Sequence, residues 1–268
     1  MNRCIKILFC LLVSQLMSTP AQSFAQEVDT RDTEFAPDHS SWSELESEHF
    51  TMLYPSRRES FARHTLVYAE HAYAELSQKL QTETRFKIRI KVIDRVDEVL
   101  PLSESAQNDY FVLSTWPPHN ILDGPYRGDW LERAIYHHVA HILIQNTQFD
   151  ISPFLTTLLY PLSYNNQFVP TWYIEGLSSW YASVHHTATP RLDSIYAAIL
   201  RSDALSNDIP NLGSIMSGRR SWLGERAATI YGTAFIHDLA EKYDAHDFTR
   251  WNHENVRRLV PFTIDATT

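Results

Sequence analysis

Cysteine is almost missing. The chain of 268 residues has two, Cys4 and Cys10, both at its very start. The remainder has no disulfides and no thiol chemistry. Glycine is scarce as well: there are seven, and none forms a phosphate-binding loop. Beyond the first 25 residues no apolar run is long enough to span a bilayer, so no integral membrane segment is expected after them. Positive charge is in deficit. Without Arg3 and Lys6, 21 basic residues face 32 acidic ones, a net charge of −11. That balance excludes a nucleic-acid or anionic-lipid partner. Repeats and low-complexity tracts are lacking too. Aromatic residues are plentiful, at 12% of the chain, so a packed domain is expected.

The N-terminus reads as a signal. Arg3 and Lys6 precede an apolar run from Ile7 to Val13, and Ser23-Phe24-Ala25 offers the small residues a signal peptidase reads. Residues 1–25 are therefore expected to be a secretory signal peptide, and the protein to be periplasmic. Cys10 lacks the small residues that precede a lipidated cysteine. Residues 26–41 are polar and read as a flexible leader. Residues 42–268 are expected to form one domain.

Hydrophobic periodicity predicts its elements. Residues 48–54 alternate, with Phe50, Met52 and Tyr54 on one face, as do residues 86–93, and residues 110–115 form a further strand ended by Pro117 and Pro118. Helical spacing covers residues 59–80. Further helices are predicted from about Asp129 to Gln145, from Pro170 to Val184, over residues 191–201 and over residues 225–242. Residues 148–166 are broken by Pro153 and Pro161. Strands come first and helices after, which is the α+β pattern with a mostly helical C-terminal half.

Two histidines stand out. His137 and His141 lie four apart on a predicted helix, so both rings share one face and could share a metal. With 13 histidines in the chain, chance alone supplies ~0.6 such pairs. Two packed, hydrogen-bonded histidines are the plain alternative. A zinc site needs at least a third ligand. Glu175 is a candidate, because it stands on an otherwise apolar helix start between Trp172 and Trp180, where a carboxylate is costly unless neutralised. Stabilisation by the helix dipole is the alternative for it.

His137-x-x-x-His141, followed by Glu175 in a Trp-x-x-Glu-Gly setting, resembles the gluzincin metallopeptidases, and more narrowly the bacterial peptidase MA-like domains. Flanking segments carry the likeness further: Trp42 through His49-Phe50 and Tyr54-Pro55, Asp129-Trp130-Leu131, Asn166 through Pro170, Arg191-Leu192-Asp193-Ser194, and Tyr231-Gly232-Thr233-Ala234-Phe235. The resemblance implies a zincin-like fold, a small mixed sheet packed on a zinc-binding helix pair. It implies that His137, His141 and Glu175 hold Zn²⁺, and that an edge strand, here Tyr110 to Thr115, presents substrate backbone. Related domains continue with another helix after a segment like Phe262-Thr263-Ile264-Asp265, and many carry a β-propeller behind. By that comparison the chain reads as a degenerate member truncated at its C-terminus.

One position departs from the family pattern. The family motif is His-Glu-x-x-His, and its glutamate takes a proton from the activated water and passes it on. Here His138 stands in that place. An imidazole is a base, but it is bulkier than a carboxylate, and its cation is disfavoured beside Zn²⁺. It could also ligate the metal itself. Glu132 lies five residues before His137 and faces elsewhere. Tyr231 could polarise a substrate oxyanion, or be a core tyrosine before a tight packing point at Gly232. His185-His186 reads as a surface pair. Two functions follow. One is an exported zinc metallopeptidase with weakened or lost hydrolysis. The other is an inactive pseudo-peptidase that binds a peptide or protein partner. Oligomeric state leaves no signal in the sequence.

Overall fold

Alternation becomes a sheet wherever one face can be buried. In the computed structural model, residues 41–84, 86–94, 110–117, 130–146, 170–184, 194–217, 222–224 and 226–243 are described. All fall within one compact unit, Ser41–Thr268. Four strands form a single sheet: β1 (Trp42–Glu46), β2 (Phe50–Pro55), β3 (Ile88–Ile93) and β4 (Tyr110–Ser114), in the order β1-β2-β3-β4. β1 runs antiparallel to β2, whereas β2–β3 and β3–β4 are parallel. The sheet is thus mixed, and β4 is its edge strand among the described residues. Phe50, Met52, Ile88, Ile90, Val92, Phe111 and Leu113 are buried, while Arg89 between two of them is exposed. That is the period-two pattern of a sheet with one wet face.

A parallel β2–β3 pair requires a crossover, and α1 (Glu59–Leu80) supplies it. Ala62, Leu66, Ala69, Tyr73, Leu76 and Leu80 are buried at spacings of three and four, one continuous stripe. The helix stops at Gln81, whose backbone is left-handed (φ 50°) and whose N–H caps the Ser77 carbonyl.

Among the described residues five more helices follow: α2 (Trp130–Asn146), α3 (Thr171–Val184), α4 (Ser194–Leu205), α5 (Leu212–Ser217) and α6 (Arg226–Lys242). α1 packs on β2 and α2, α2 on α3, and α3 on α6. One apolar core runs through the sheet, α1, α2, α3 and α6. A second, smaller cluster joins α4 to α6 through Tyr196, Ile199, Ala227, Ile230 and Tyr231. None of the described helices is long and apolar enough to cross a membrane.

The fold is α+β, as the sequence pattern predicts, and its described sheet is small and mixed. Three details differ. β1 is a separate strand, hidden in the sequence because Glu44 and Glu46 stay in water and none of its residues is fully buried. α4 runs one turn beyond Arg201. α5, six residues long, is too short to show a helical period. The proposed signal peptide and leader, Asp129, residues 148–166, His185-His186 and residues 262–265 lie outside the described residues.

The edge strand is anchored at its far end. The Asp94 carboxylate receives Arg58 Nε at 2.7 Å, Arg57 Nε at 2.9 Å and Thr115 Oγ1 at 2.5 Å. The Arg58 hydrogen bond holds this carboxyl well below the usual range, against the opposing effect of burial. The cluster ties the ends of β3 and β4 to the turn that opens α1.

Candidate metal-binding site

α2 is buried on nearly every side from Ile135 to Gln145. Such a helix can carry polar residues only where partners await them. Its position is fixed by Tyr136, which is fully buried and donates its hydroxyl to Glu75 Oε2 at 2.8 Å, with His71 Nδ1 at the same distance on the other side. Both partners lie on α1. The next residue, His137, consequently faces α3.

α3 begins where Pro170 cannot continue a helix backwards, and the Pro170 carbonyl accepts from the Tyr173 and Ile174 amides. Glu175 lies in the second turn and is 7% exposed. Its carboxylate sits between the two histidines of α2. His141 Nε2 donates to Oε1 at 3.0 Å, and His137 Nε2 stands 3.7 Å from Oε2. The two imidazole centroids are 5.8 Å apart. The structure therefore gathers His137, His141 and Glu175 from two helices 34 residues apart in sequence.

Helix α6 closes the site from behind. Gly176 and Gly232 form its crossing with α3. A Cβ on Gly232 would lie 2.1 Å from the Trp172 carbonyl oxygen, and one on Gly176 would lie 2.3 Å from the Gly232 carbonyl carbon. Only two glycines permit so close an approach of backbones. It sets Thr229, one turn before Gly232, against Glu175, where Thr229 Oγ1 donates to Oε2 at 3.2 Å. The Trp-x-x-Glu-Gly pattern thus has a plain packing meaning. Its Trp and Gly form the floor of a helix crossing, and its Glu faces the neighbouring helix.

Burial and mutual contact set the protonation states of His137 and Glu175. Burial, opposed by the Glu175 charge and aided by His141 and Arg133, holds His137 neutral, with its pKa pushed down to about 4. Burial would raise the Glu175 carboxyl, but the His141 hydrogen bond and the neighbouring histidines overcome it, and its pKa falls to about 2. Neutral imidazole and ionised carboxylate are the protonation states that a metal requires. His137 Nε2 has no hydrogen-bond partner although it is buried, an orphan that normally costs about 1–3 kcal/mol. Bonds of the length zinc makes to nitrogen and oxygen would set donors ~3.4 Å apart in a tetrahedron. The contacts of 3.0 and 3.7 Å bracket that spacing. Among the described residues, no group of three or more His, Cys, Asp or Glu side chains is arranged to hold a metal ion.

His138 stands beside this pair, its ring centre 5.8 Å from that of His137, and reaches toward the sheet. Its ring stacks on Phe111 of the edge strand, centroids 4.6 Å apart and planes 10° from parallel. It is 4% exposed and its Nε2 has no hydrogen-bond partner. Burial first, and then the neighbouring His137 and His141, hold its pKa well below the usual imidazole value. Tyr231 lies elsewhere: its hydroxyl donates to Asp203 Oδ2 on α4, within the smaller apolar cluster. Burial, with that bond second, raises the phenol's pKa. Any part for Tyr231 at a substrate would require the Asp203 bond to break. Ser179 and Thr229, not anticipated from the sequence, touch His137 and Glu175 directly. Ser179 stands one turn after Glu175, a spacing that could have revealed it. Thr229 carries no such signal.

No family model matches the chain, and no curated protein matches it at a significant level.

A pH dependence follows from the buried imidazoles. His137 and His138 are neutral when folded but take up protons below their ordinary value of 6.5 when unfolded. Their folded pKa values are depressed, so stability is complete above pH 6.5 and is lost as pH falls. For His137 the loss runs from 6.5 to about 4, on the order of 3 kcal/mol if fully expressed. Glu175 acts in the same direction, from 4.5 down to about 2. Urea midpoints of metal-free protein should therefore be clearly lower at pH 5 than at pH 7.5, and His138→Phe should shrink the difference. Equal midpoints at both values would contradict the neutral assignment.

Proposed function

We propose that this protein is a zinc-binding, gluzincin-like metallopeptidase relative in which peptide-bond hydrolysis is weakened or lost. The observation that carries the reading is the convergence of His137, His141 and Glu175 from two core helices, with a buried His137 nitrogen that has no hydrogen-bond partner. His137, His141 and Glu175 would hold the ion. When bound, zinc would supply Lewis-acid polarisation of a carbonyl oxygen and acidify a bound water.

Hydrolysis needs a neighbouring base that accepts a proton and delivers it to the leaving amine. His138 holds that sequence position, but it is packed flat on Phe111 and burial disfavours its cation. A group that resists protonation is a poor proton carrier. The same stack favours a second reading, a peptide- or protein-binding pseudo-peptidase. Phe111 lies on β4, the last strand of the described sheet, the kind of position at which a further strand can add, and His138 stacks against it. Export to the periplasm belongs to both readings and rests on the sequence of residues 1–25.

Metal analysis tests the proposal. Purified protein should hold about one zinc per chain, and His141→Ala should lose it while remaining folded. Well-folded wild-type protein that takes up no zinc at micromolar concentration would overturn the ligand assignment.

A further inference from the structure

We propose that Ser179 and Thr229 are positioning residues that orient the metal-binding atoms of His137 and Glu175; the inference rests on the zinc reading above. Each of these two groups has one side turned toward the site and the other held by a hydroxyl from a different helix.

Ser179 comes from α3, four residues after Glu175, so the two share a helix face. Its Oγ lies 3.3 Å from His137 Nδ1. In a neutral imidazole one nitrogen carries the proton and the other the lone pair. With Ser179 Oγ accepting the Nδ1 proton, the lone pair sits on Nε2. That is the atom facing Glu175 Oε2 at 3.7 Å with no hydrogen-bond partner. Ser179 thereby selects the tautomer that can ligate.

Thr229 performs the matching task for the carboxylate. Glu175 Oε1 is engaged by His141, and Oε2 accepts from Thr229 Oγ1. One oxygen on each side fixes the carboxylate plane. Thr229 is itself held one turn from the glycine crossing, and Thr233 Oγ1 donates to its backbone carbonyl. The hydroxyl therefore arrives from a helix that cannot slide without a backbone collision. Hydrogen-bonded partners of metal ligands typically contribute 10- to 100-fold in metal affinity.

The test compares zinc affinity, by competition with a chromophoric chelator, in wild type, Ser179→Ala, Thr229→Val and Thr229→Ser. Ser179→Ala and Thr229→Val should each weaken zinc binding by ~10-fold or more, while Thr229→Ser, which keeps the hydroxyl, should stay near wild type. Melting temperatures of the metal-free forms separate positioning from bulk stability, because affinity should fall in variants whose metal-free melting is little changed. Nitrogen-15 spectra of metal-free protein supply an independent readout, with His137 expected as the Nδ1–H tautomer in wild type and released from it in Ser179→Ala. Wild-type affinity in both Ser179→Ala and Thr229→Val, with zinc bound normally, overturns the positioning roles and leaves the site intact. A wild type that binds no zinc overturns the site and the positioning roles together.

Discussion

Replacing His138 with glutamate should create or sharply raise peptidase activity. The expected gain in kcat/KM on a mixed peptide library is about 10²–10⁴, the usual contribution of a general base. Three features support a figure of that size. His138 lies between the two histidines that gather around Glu175, so a carboxylate there would start close to the site. Its present ring is neutral because burial and two neighbouring imidazoles oppose its cation. A glutamate beside a bound cation would instead be held ionised, ready to accept a proton. The exchange would forfeit the Phe111 stack, worth about 0.5–1.5 kcal/mol beyond area burial, so a modest drop in melting temperature should accompany the gain. Zinc content must be measured alongside, since an empty site would mimic failure. If wild type already cleaves the library at the variant's rate, and a chelator stops it, His138 is a competent base and the weakened-hydrolysis reading is wrong.

The largest structural effect should come from Gly232→Ala. Overpacking a core typically costs about 1–3 kcal/mol, occasionally more, when neighbouring side chains can yield. Here the obstacle is the Trp172 carbonyl oxygen, 2.1 Å from the new methyl position. A backbone carbonyl inside a helix cannot rotate away without breaking that helix's hydrogen bonds. We therefore expect a loss of ~3 kcal/mol or more, a large share of the roughly 5–15 kcal/mol that holds a domain folded. Gly176→Ala should behave alike, because its methyl would meet the Gly232 backbone at 2.3 Å. Gly224→Ala gives the contrast, since nothing lies within 4 Å of a Cβ there and the penalty is only that of a left-handed backbone at φ 58°. Urea denaturation of the three variants checks the order. A Gly232→Ala protein within 1 kcal/mol of wild type would mean that the α3–α6 crossing is wider than described.

The main helices and strands were legible because their periodicity matches their burial. Residues 59–80 bury a stripe at spacings of three and four, and residues 88–93 alternate, so the physical pattern and the sequence pattern coincide. β1 failed that correspondence because both faces are partly wet. At the site, His137 and His141 announced themselves through helical spacing, and Glu175 through an acid in apolar company. Their supports were less visible. Ser179 obeys a helix period that was not followed outward from Glu175. Thr229 reaches Glu175 across a gap of 54 residues, through a crossing that depends on two glycines. The partner of Tyr231, Asp203, lies 28 residues away on a helix the sequence placed only roughly. The stack of His138 on Phe111 joins a helix to a strand edge, a tertiary contact that neither local pattern contains.

The β2–α1–β3 crossover also bears on how the molecule comes together. Residues 50–93 hold a strand, a helix and the parallel partner strand in direct succession. Loop closure over such short separations is entropically cheap compared with joining residues 137, 175 and 229. The sheet and its first covering helix can therefore assemble as an early platform, with the helices bearing the histidines and the glutamate docking onto it afterward. On that order, a nascent chain that ends before Gly232 has its platform but lacks the backbone wedge that fixes α3. In pulse-labelled hydrogen exchange, amides of α1 and β3 would gain protection ahead of those around Glu175.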